Sequence, residues 1–143
     1  MNIDTFKGLL ATQTTPRGFA WSEEQTDDKS IAVLSCNIGF PYYDDDCVIR
    51  VVVSQKTLEV VFLLDAIVPT FDNLKLVNDF NAQVSYLKAH IHKTQKSYLL
   101  FISSGIINVD NEQTAVNNVV SLVDYVASQD VAIYLRPLTV ITQ

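Results

Sequence analysis

The chain has 143 residues, of which 48% are apolar and 18% are charged, and this length and composition suit one domain, residues 1–143, with a substantial core. Its formal net charge is −6 and basic residues do not cluster, so we expect no nucleic-acid partner. No segment approaches the roughly 18 continuous apolar residues of a membrane span, and the first ten residues do not resemble a signal peptide. We therefore expect a cytoplasmic protein that does not bind membranes.

The first 40 residues predict a helix, an edge strand and a longer strand. Asn2 is a candidate N-cap, and an apolar stripe follows it at Ile3, Phe6, Leu9 and Leu10. Helix-breaking residues 14–18 come next, and residues 19–22 suit a short edge strand. Residues 30–40 alternate in polarity, which predicts a strand that buries one face, formed by Ala32, Leu34, Cys36 and Ile38.

The loop at residues 40–46 combines aromatic and acidic side chains. Phe40, Tyr42 and Tyr43 are candidates for binding another protein, because aromatic residues are enriched in interface hot spots. Alternatively, these aromatic side chains only cover the end of the sheet. Asp44, Asp45 and Asp46 follow without the alternating spacing of a calcium-binding loop, so we predict no metal there.

The clearest strands are residues 47–54 and 57–68, which are joined by a predicted tight turn at Gln55 and Lys56. One face of the second strand carries Leu58, Val60, Phe62 and Leu64. Val61 and Leu63 load the opposite face, and the first strand is also apolar on both faces. Because one helix layer covers only one face, the second face needs another cover, and a partner subunit is the simplest one. Val61 and Leu63 are therefore predicted to lie in a homodimer interface.

An amphipathic helix and two strands occupy residues 70–107. Thr70 is the candidate N-cap, and Phe80 lies in the middle of the apolar stripe that Val77 and Val84 continue. Near Ser85 the period changes from that of a helix to that of a strand, with no loop expected between them. Residues 98–102 are apolar on both faces, which predicts a more deeply buried strand.

The C-terminal region predicts a helix whose end is ambiguous. Asp110 and Gln113 resemble a capping box, and a helical stripe follows at Val116, Val119, Val120, Val123 and Ala127. Residues 131–135 either continue this helix or form a last strand. Continuation is favoured, because no strong helix breaker occurs at residues 128–130.

Few residues carry the spacing of a known chemical site. His90 and His92 would lie on the same face of a strand about 7 Å apart, as in some zinc sites, but no third ligand is apparent, and we predict neither a metal nor a cofactor. Cys36 and Cys47 can be reduced thiols or a disulfide, and reduced thiols are favoured in a cytosolic chain. The acidic neighbours of Cys47 should raise its pKa and make it a poor nucleophile. Ser103 and Ser104 lack the surroundings of a nucleophile elbow, and we predict that the protein is not an enzyme.

The order of predicted elements, together with the segment LVNDFNAQVSYLKAHI at residues 76–91, resembles the YbjN-like family of small bacterial proteins, which have the type III secretion chaperone-like fold. The resemblance is carried by Asn78, Phe80 and Asn81 at the end of the central helix, and by SSGI from Ser103 before the last helix. It implies an acidic, dimeric protein that acts by binding other proteins.

The sequence thus predicts a two-layer α+β domain, in which helices pack on an antiparallel sheet of about five strands, in the order α-β-β-β-α-β-β-α. The predicted function is that of a non-catalytic, homodimeric protein-binding module, chaperone-like or regulatory. The alternative is a small-ligand binder or an enzyme that uses the loop at residues 40–46. A concave pocket with converging polar groups at that loop would favour this alternative, and a flat apolar face would favour partner binding.

Overall fold

The computed structural model describes residues 1–40, 43 and 46–142. In this part of the chain there are four helices, namely α1 (Ile3–Thr14), α2 (Phe71–Gln83), α3 (Glu112–Val126) and α4 (Gln129–Ile141). The seven strands are β1 (Ser22–Glu24), β2 (Ile31–Ile38), β3 (Cys47–Ser54), β4 (Thr57–Ile67), β5 (Lys88–Lys93), β6 (Tyr98–Ser103) and β7 (Ile107–Asn108).

The strands form one antiparallel sheet in the order β1-β2-β3-β4-β6-β5, and β7 also pairs with β4. This confirms the predicted α+β class, with helices packed on an antiparallel sheet. The sheet has seven described strands rather than the predicted five or so. Two of the seven, β1 and β7, are only three and two residues long. Such short strands are stable only when they pair with longer ones.

One face of the sheet forms a continuous core with the helices. Its alternating residues on β2, β3, β4 and β6 are buried and belong to the same apolar cluster as the buried residues of all four helices. Phe6 of α1 and Phe80 of α2 are fully buried in it. The predicted inward faces of β2 and β4 are confirmed, since Ala32, Leu34, Cys36, Ile38, Leu58, Val60 and Phe62 are buried and Leu64 is half-buried.

Helix α2 is joined to β5 by a short turn rather than directly. Thr70 caps the helix by accepting a hydrogen bond from the Asn73 N–H, as predicted. Between Gln83 and Lys88 the chain reverses through Tyr86, which has a φ of +66°. Asn81 holds the turn, because its side chain accepts from the Ala89 N–H at 2.6 Å and donates to the Ala89 carbonyl at 3.1 Å.

Three local predictions were wrong in position. The edge strand is Ser22–Glu24 rather than residues 19–22, because Trp21 turns towards α1 and donates its indole N–H to the Thr14 hydroxyl. The N-cap of α3 is Asn111 rather than Asp110, and it accepts from the Thr114 N–H.

The third correction concerns the last helix, which is two helices. Residues 131–135 are helical, but Ser128 interrupts the chain with an extended conformation (φ −77°, ψ 155°) and becomes the N-cap residue of α4. Its hydroxyl donates to the Tyr125 carbonyl at the end of α3. Among the described residues, no helix is both long enough and apolar enough to cross a membrane.

Candidate functional site

The face of the sheet opposite the helices, which we call the outer face, carries a group of apolar side chains centred on β3, β4 and β6. Strand register places Val52 beside Val33 of β2, and Val48 beside Leu63 of β4, which in turn neighbours Phe101 of β6. None of these side chains belongs to the core cluster between the sheet and the helices. The apolar residues of the outer face are Ile31, Val33, Val48, Val52, Val61, Leu63, Leu99 and Phe101.

The two residues that the sequence singled out on this face have different exposures. Val61 retains only 8% of its accessible surface, because Arg50, Leu63 and Ser103 surround it on its own and neighbouring strands. Leu63 is half-buried, and Leu99 is 39% exposed. Leu63 and Leu99 are thus more accessible to another molecule than Val61.

Charged side chains lie among and around these apolar residues. Arg50 on β3 forms an ion pair with Glu24 of β1 at 3.2 Å, while its buried Nε atom has no hydrogen-bond partner among the described residues. Glu59 of β4 accepts a hydrogen bond from the Ser103 hydroxyl at 3.1 Å. This bond gives Ser103 a structural role.

His90 and His92 lie side by side on the outer face of the edge strand β5, as predicted, and both are exposed. The His90 ring stacks on Phe101 with a centroid distance of 5.2 Å. Within the described residues, no group of three or more histidine, cysteine, aspartate or glutamate side chains could hold a metal ion. In this part of the chain, His90 thus contacts an aromatic ring and does not belong to a cluster of metal-ligating side chains.

The aromatic loop is organised differently from the predicted binding surface. Phe40 is only 6% exposed. Its ring packs against the rings of Phe62 and Tyr43, with centroid distances of 6.4 Å and 5.6 Å. The prediction that Phe40 is available to another protein is therefore wrong. Tyr43 is half-buried and donates its hydroxyl to the Val126 carbonyl at 3.1 Å. Tyr42, Asp44 and Asp45 lie outside the described residues. Phe40 and Tyr43 fit the alternative, in which they cover the end of the sheet.

A cavity of about 220 Å³ lies between this loop, the end of β4 and the last turns of α4. We call it the loop cavity. Its described walls are Phe40, Tyr43, Asp46, Cys47, Phe62, Leu63, Leu64, Asp65, Leu135, Thr139, Val140 and Thr142. This concave feature is the kind of observation that would favour the small-ligand alternative.

The nucleophilic groups of the loop cavity are held in their neutral forms. Burial raises the pKa of the Cys47 thiol to about 12, and the sulfur lies 3.6 Å from the Leu63 carbonyl. The sequence predicts a raised pKa for Cys47 from its neighbouring aspartates, whereas in the structure the pKa is raised because burial removes the hydration of the thiolate. Burial is also the main cause of the raised pKa of Tyr43, ahead of the nearby Cys47 thiolate charge. Both groups are therefore protonated at neutral pH, which suits binding better than nucleophilic chemistry.

Sequence reasoning missed several members of both regions. Leu99 and Phe101 join the outer face only through strand pairing with distant segments. Thr139 and Val140 join the loop cavity because α4 packs beside β4. The only signal for the first group was that β6 is apolar on both faces.

Comparisons with known proteins identify no relative of this chain, since no family model, no curated protein and no solved structure matches it.

Proposed function

We propose that this chain is a non-catalytic protein-binding module, located in the cytoplasm, that forms a homodimer through the outer face of its sheet. The proposal rests above all on one observation, which is that apolar side chains of three central strands lie on a face that none of the described helices covers. Fully burying an exposed side chain of this size contributes about 1.5–3 kcal/mol, and the half-buried side chains of this face would gain part of that amount. A second copy of the chain is the occupant that we propose.

The size of the outer face supports a dimer. Six strands about 4.8 Å apart, and three to eleven residues long, give a face of roughly 600 Å². Two such faces in contact would bury on the order of 1,200 Å² in total, which is the lower end of the range for stable, specific interfaces.

The strand order supports self-association in one orientation. A two-fold axis in the interface and parallel to the strands places β1 of one protomer over β5 of the other. The central strand β3 of each protomer then lies over β4 of the other, so that apolar residues meet apolar residues.

Other observations support the remaining parts of the proposal. Both cysteines are free thiols, which is typical of cytosolic proteins. The chaperone-like or regulatory role follows from the resemblance of residues 76–91 to YbjN-like proteins, and it would use surfaces left free by the dimer. The identity of the protein partner is not part of the proposal.

Sedimentation at micromolar concentration tests the dimer. The wild type is expected to have twice the 16.0 kDa mass of the chain. Val52→Lys and Leu63→Lys should each give a folded protein of 16.0 kDa, because both place charges in the contact between the two sheets. Val52 is the sharper position, since Leu63 also lines the loop cavity.

A matched control is available on α4, where Ile133 is 66% exposed on the helix layer. Ile133→Lys adds the same charge to an exposed apolar position, and it should leave the dimer intact. A wild-type mass of 16.0 kDa would contradict the proposal outright. A dimeric Val52→Lys variant would place the interface on another surface.

A further inference from the structure

One edge of the sheet is formed by β5, and the hydrogen bonds at its two ends show which backbone groups point outwards. In the described part of the chain, β5 is the last strand of the sheet order and pairs with β6 alone. At the hairpin, the Thr94 N–H donates to the Ser97 carbonyl at 2.7 Å, so the backbone groups of Thr94 point towards β6. Because this direction alternates along an antiparallel strand, the backbone groups of Lys93, Ile91 and Ala89 point away from β6.

The side chain of Asn81 already bonds to part of this edge. Its amide accepts from the Ala89 N–H at 2.6 Å and donates to the Ala89 carbonyl at 3.1 Å, as a residue of a neighbouring strand would. This independently shows that the backbone groups of Ala89 point outwards. Among the described residues, no comparable partner bonds to the outward N–H and C=O groups of Ile91 and Lys93. We call these outward groups of Ile91 and Lys93 the open edge.

A partly apolar side of α2 lies beside the open edge. Residues spaced by three and four share one side of this helix, which we call the α2 flank, and they are Phe71, Leu74, Asn78 and Asn81. The bonds of Asn81 to β5 direct the α2 flank towards the edge. Because the chain reverses between α2 and β5, the flank extends back beside the strand. Leu74 is 38% exposed and Phe71 is 84% exposed, so both can contact a molecule at the open edge.

The charge at the open edge is basic. The strand KAHIHK contains two lysines, two histidines and no acidic residue, in a chain whose net charge is −6. Lys93 lies at the open edge itself, with its ammonium group 5.9 Å from the Tyr98 ring centroid. The acidic residues of α2 lie on its other side, where Asp79 lines a depression with Ile133 of α4 and Asp72 is about two turns away. The open edge therefore favours an acidic partner over a second basic edge.

We propose that the open edge binds an extended acidic segment of another protein, which adds a strand to the sheet antiparallel to β5. The residue of the segment opposite Ile91 exchanges two backbone hydrogen bonds with it and points its side chain to the same face, towards the α2 flank. An apolar residue suits this position. The residues before and after it point to the outer face, beside His90 and His92, where acidic residues suit the basic surroundings. The segment is thus recognised by its alternation of apolar and acidic residues.

This inference rests on the protein-binding part of the proposed function, and it is independent of the dimer. The open edge lies at the border of the sheet, and β4 and β6 separate β5 from Val52 on β3. A dimer that forms through the outer face therefore leaves the open edge accessible. The Val52→Lys variant should bind the segment as the wild type does, even if it is monomeric. Sedimentation and segment binding can thus fail separately.

Titration with a blocked heptapeptide of alternating glutamate and valine, followed by backbone amide NMR, tests the inference. Saturable shifts are expected for the amide groups of Ile91 and Lys93. In antiparallel pairing the valine N–H groups point at β5 and the glutamate N–H groups point away from it. N-methylation of the valines should therefore weaken binding by at least about tenfold, whereas N-methylation of the glutamates should have little effect. Replacing the glutamates by lysines should weaken binding by at least about fivefold.

Two variants at exposed positions complete the test. Lys93→Gln should weaken peptide binding by about fivefold, and Phe71→Ala should weaken it severalfold, because it removes apolar surface from the α2 flank. Lys56→Gln, at the turn between β3 and β4, and Ile133→Ala, at a 66% exposed position of α4, are the matched controls and should have no effect. Equal weakening by the two N-methylated peptides, or unchanged binding by both Lys93→Gln and Phe71→Ala, would overturn the proposal. Protection of the Ile91 amide from solvent exchange in the free protein would also overturn it, because a second copy would then cover the open edge.

Discussion

Val51 and Val52 are adjacent residues of β3, yet they face different environments. Val51 is fully buried against the helices, whereas Val52 is half-buried on the outer face. The same residue type therefore serves the core on one side of the strand and an uncovered surface on the other. The contrast shows that hydrophobicity alone does not identify the core of this sheet, because it does not say which face the helices cover.

Substituting each valine by lysine tests this contrast with the largest expected effect. Val51→Lys would bury an unpaired charge and should cost at least about 5 kcal/mol, a large part of the stability of a typical domain. Apart from the stability that the dimer contact adds, Val52→Lys should cost less than about 1 kcal/mol, because its ammonium group can reach water. Urea unfolding of the two variants measures the difference, and equal losses of stability would mean that the two faces are equally enclosed.

The difference between the faces also explains what the sequence could predict. Alternation in β2 and β4 identified the inner face correctly, because a period of two depends only on neighbouring residues. The outer face was recognised at Val61 and Leu63 because the alternation there is incomplete. Its extension to Leu99 and Phe101 depends on the pairing of β6 with β4, which is a long-range contact that no local pattern encodes.

Local signals also failed where a tertiary contact competed with them. Residues 19–21 have high strand propensity, but the contact of Trp21 with Thr14 keeps them out of β1. Glu23 and Glu24 have lower strand propensity, yet both are in β1, where pairing with β2 and the ion pair of Glu24 with Arg50 hold them. The loop cavity was suspected only from its loop, because α4 supplies a wall from the other end of the chain.

A second comparison, within α2, sharpens the contrast between covered and uncovered side chains. Phe80 is fully buried and Phe71 is 84% exposed. Phe80→Ala should lower the free energy of unfolding by about 3–5 kcal/mol, because it leaves a cavity in the core. Phe71→Ala deletes the same atoms from a side chain that already lies in solvent. It should change the free energy of unfolding by less than about 0.5 kcal/mol. Chemical denaturation measures both values, and a small effect at Phe80 would contradict the described packing of α2.

The turn between α2 and β5 permits a smaller test at the edge of the covered face. Asn81→Ala removes both hydrogen bonds to the Ala89 backbone and should cost about 1–3 kcal/mol. Asn78→Ala, at an exposed position of the same helix, should cost less than about 0.5 kcal/mol. Equal midpoints of thermal unfolding would show that Asn81 does not hold the turn. A large effect would give the NDFN segment a structural role.

The smallest expected effect concerns pH and separates a buried thiol from a solvated one. Cys47 has a pKa of about 12 in the folded protein, against a usual value of 9.0. Below pH 9 the thiol is protonated in both the folded and the unfolded chain, so the neutral form is compatible with folding at no electrostatic cost. Between pH 9 and 12 the unfolded chain loses this proton first. Stability therefore falls as pH rises, by about 1 kcal/mol for each pH unit within this window.

Replacing Cys47 isolates this contribution. In Cys47→Ala, the loss of stability between pH 9 and pH 10 should be smaller than in the wild type by roughly 1 kcal/mol, whatever the offset that the substitution itself introduces. The comparison is confined to this interval because Tyr43, whose pKa is also raised, and Cys36, whose pKa is raised by burial, remain in both proteins. Urea unfolding at the two pH values gives the difference. Identical pH dependence would mean that the Cys47 thiol is solvated, and that the loop does not close over this end of the sheet.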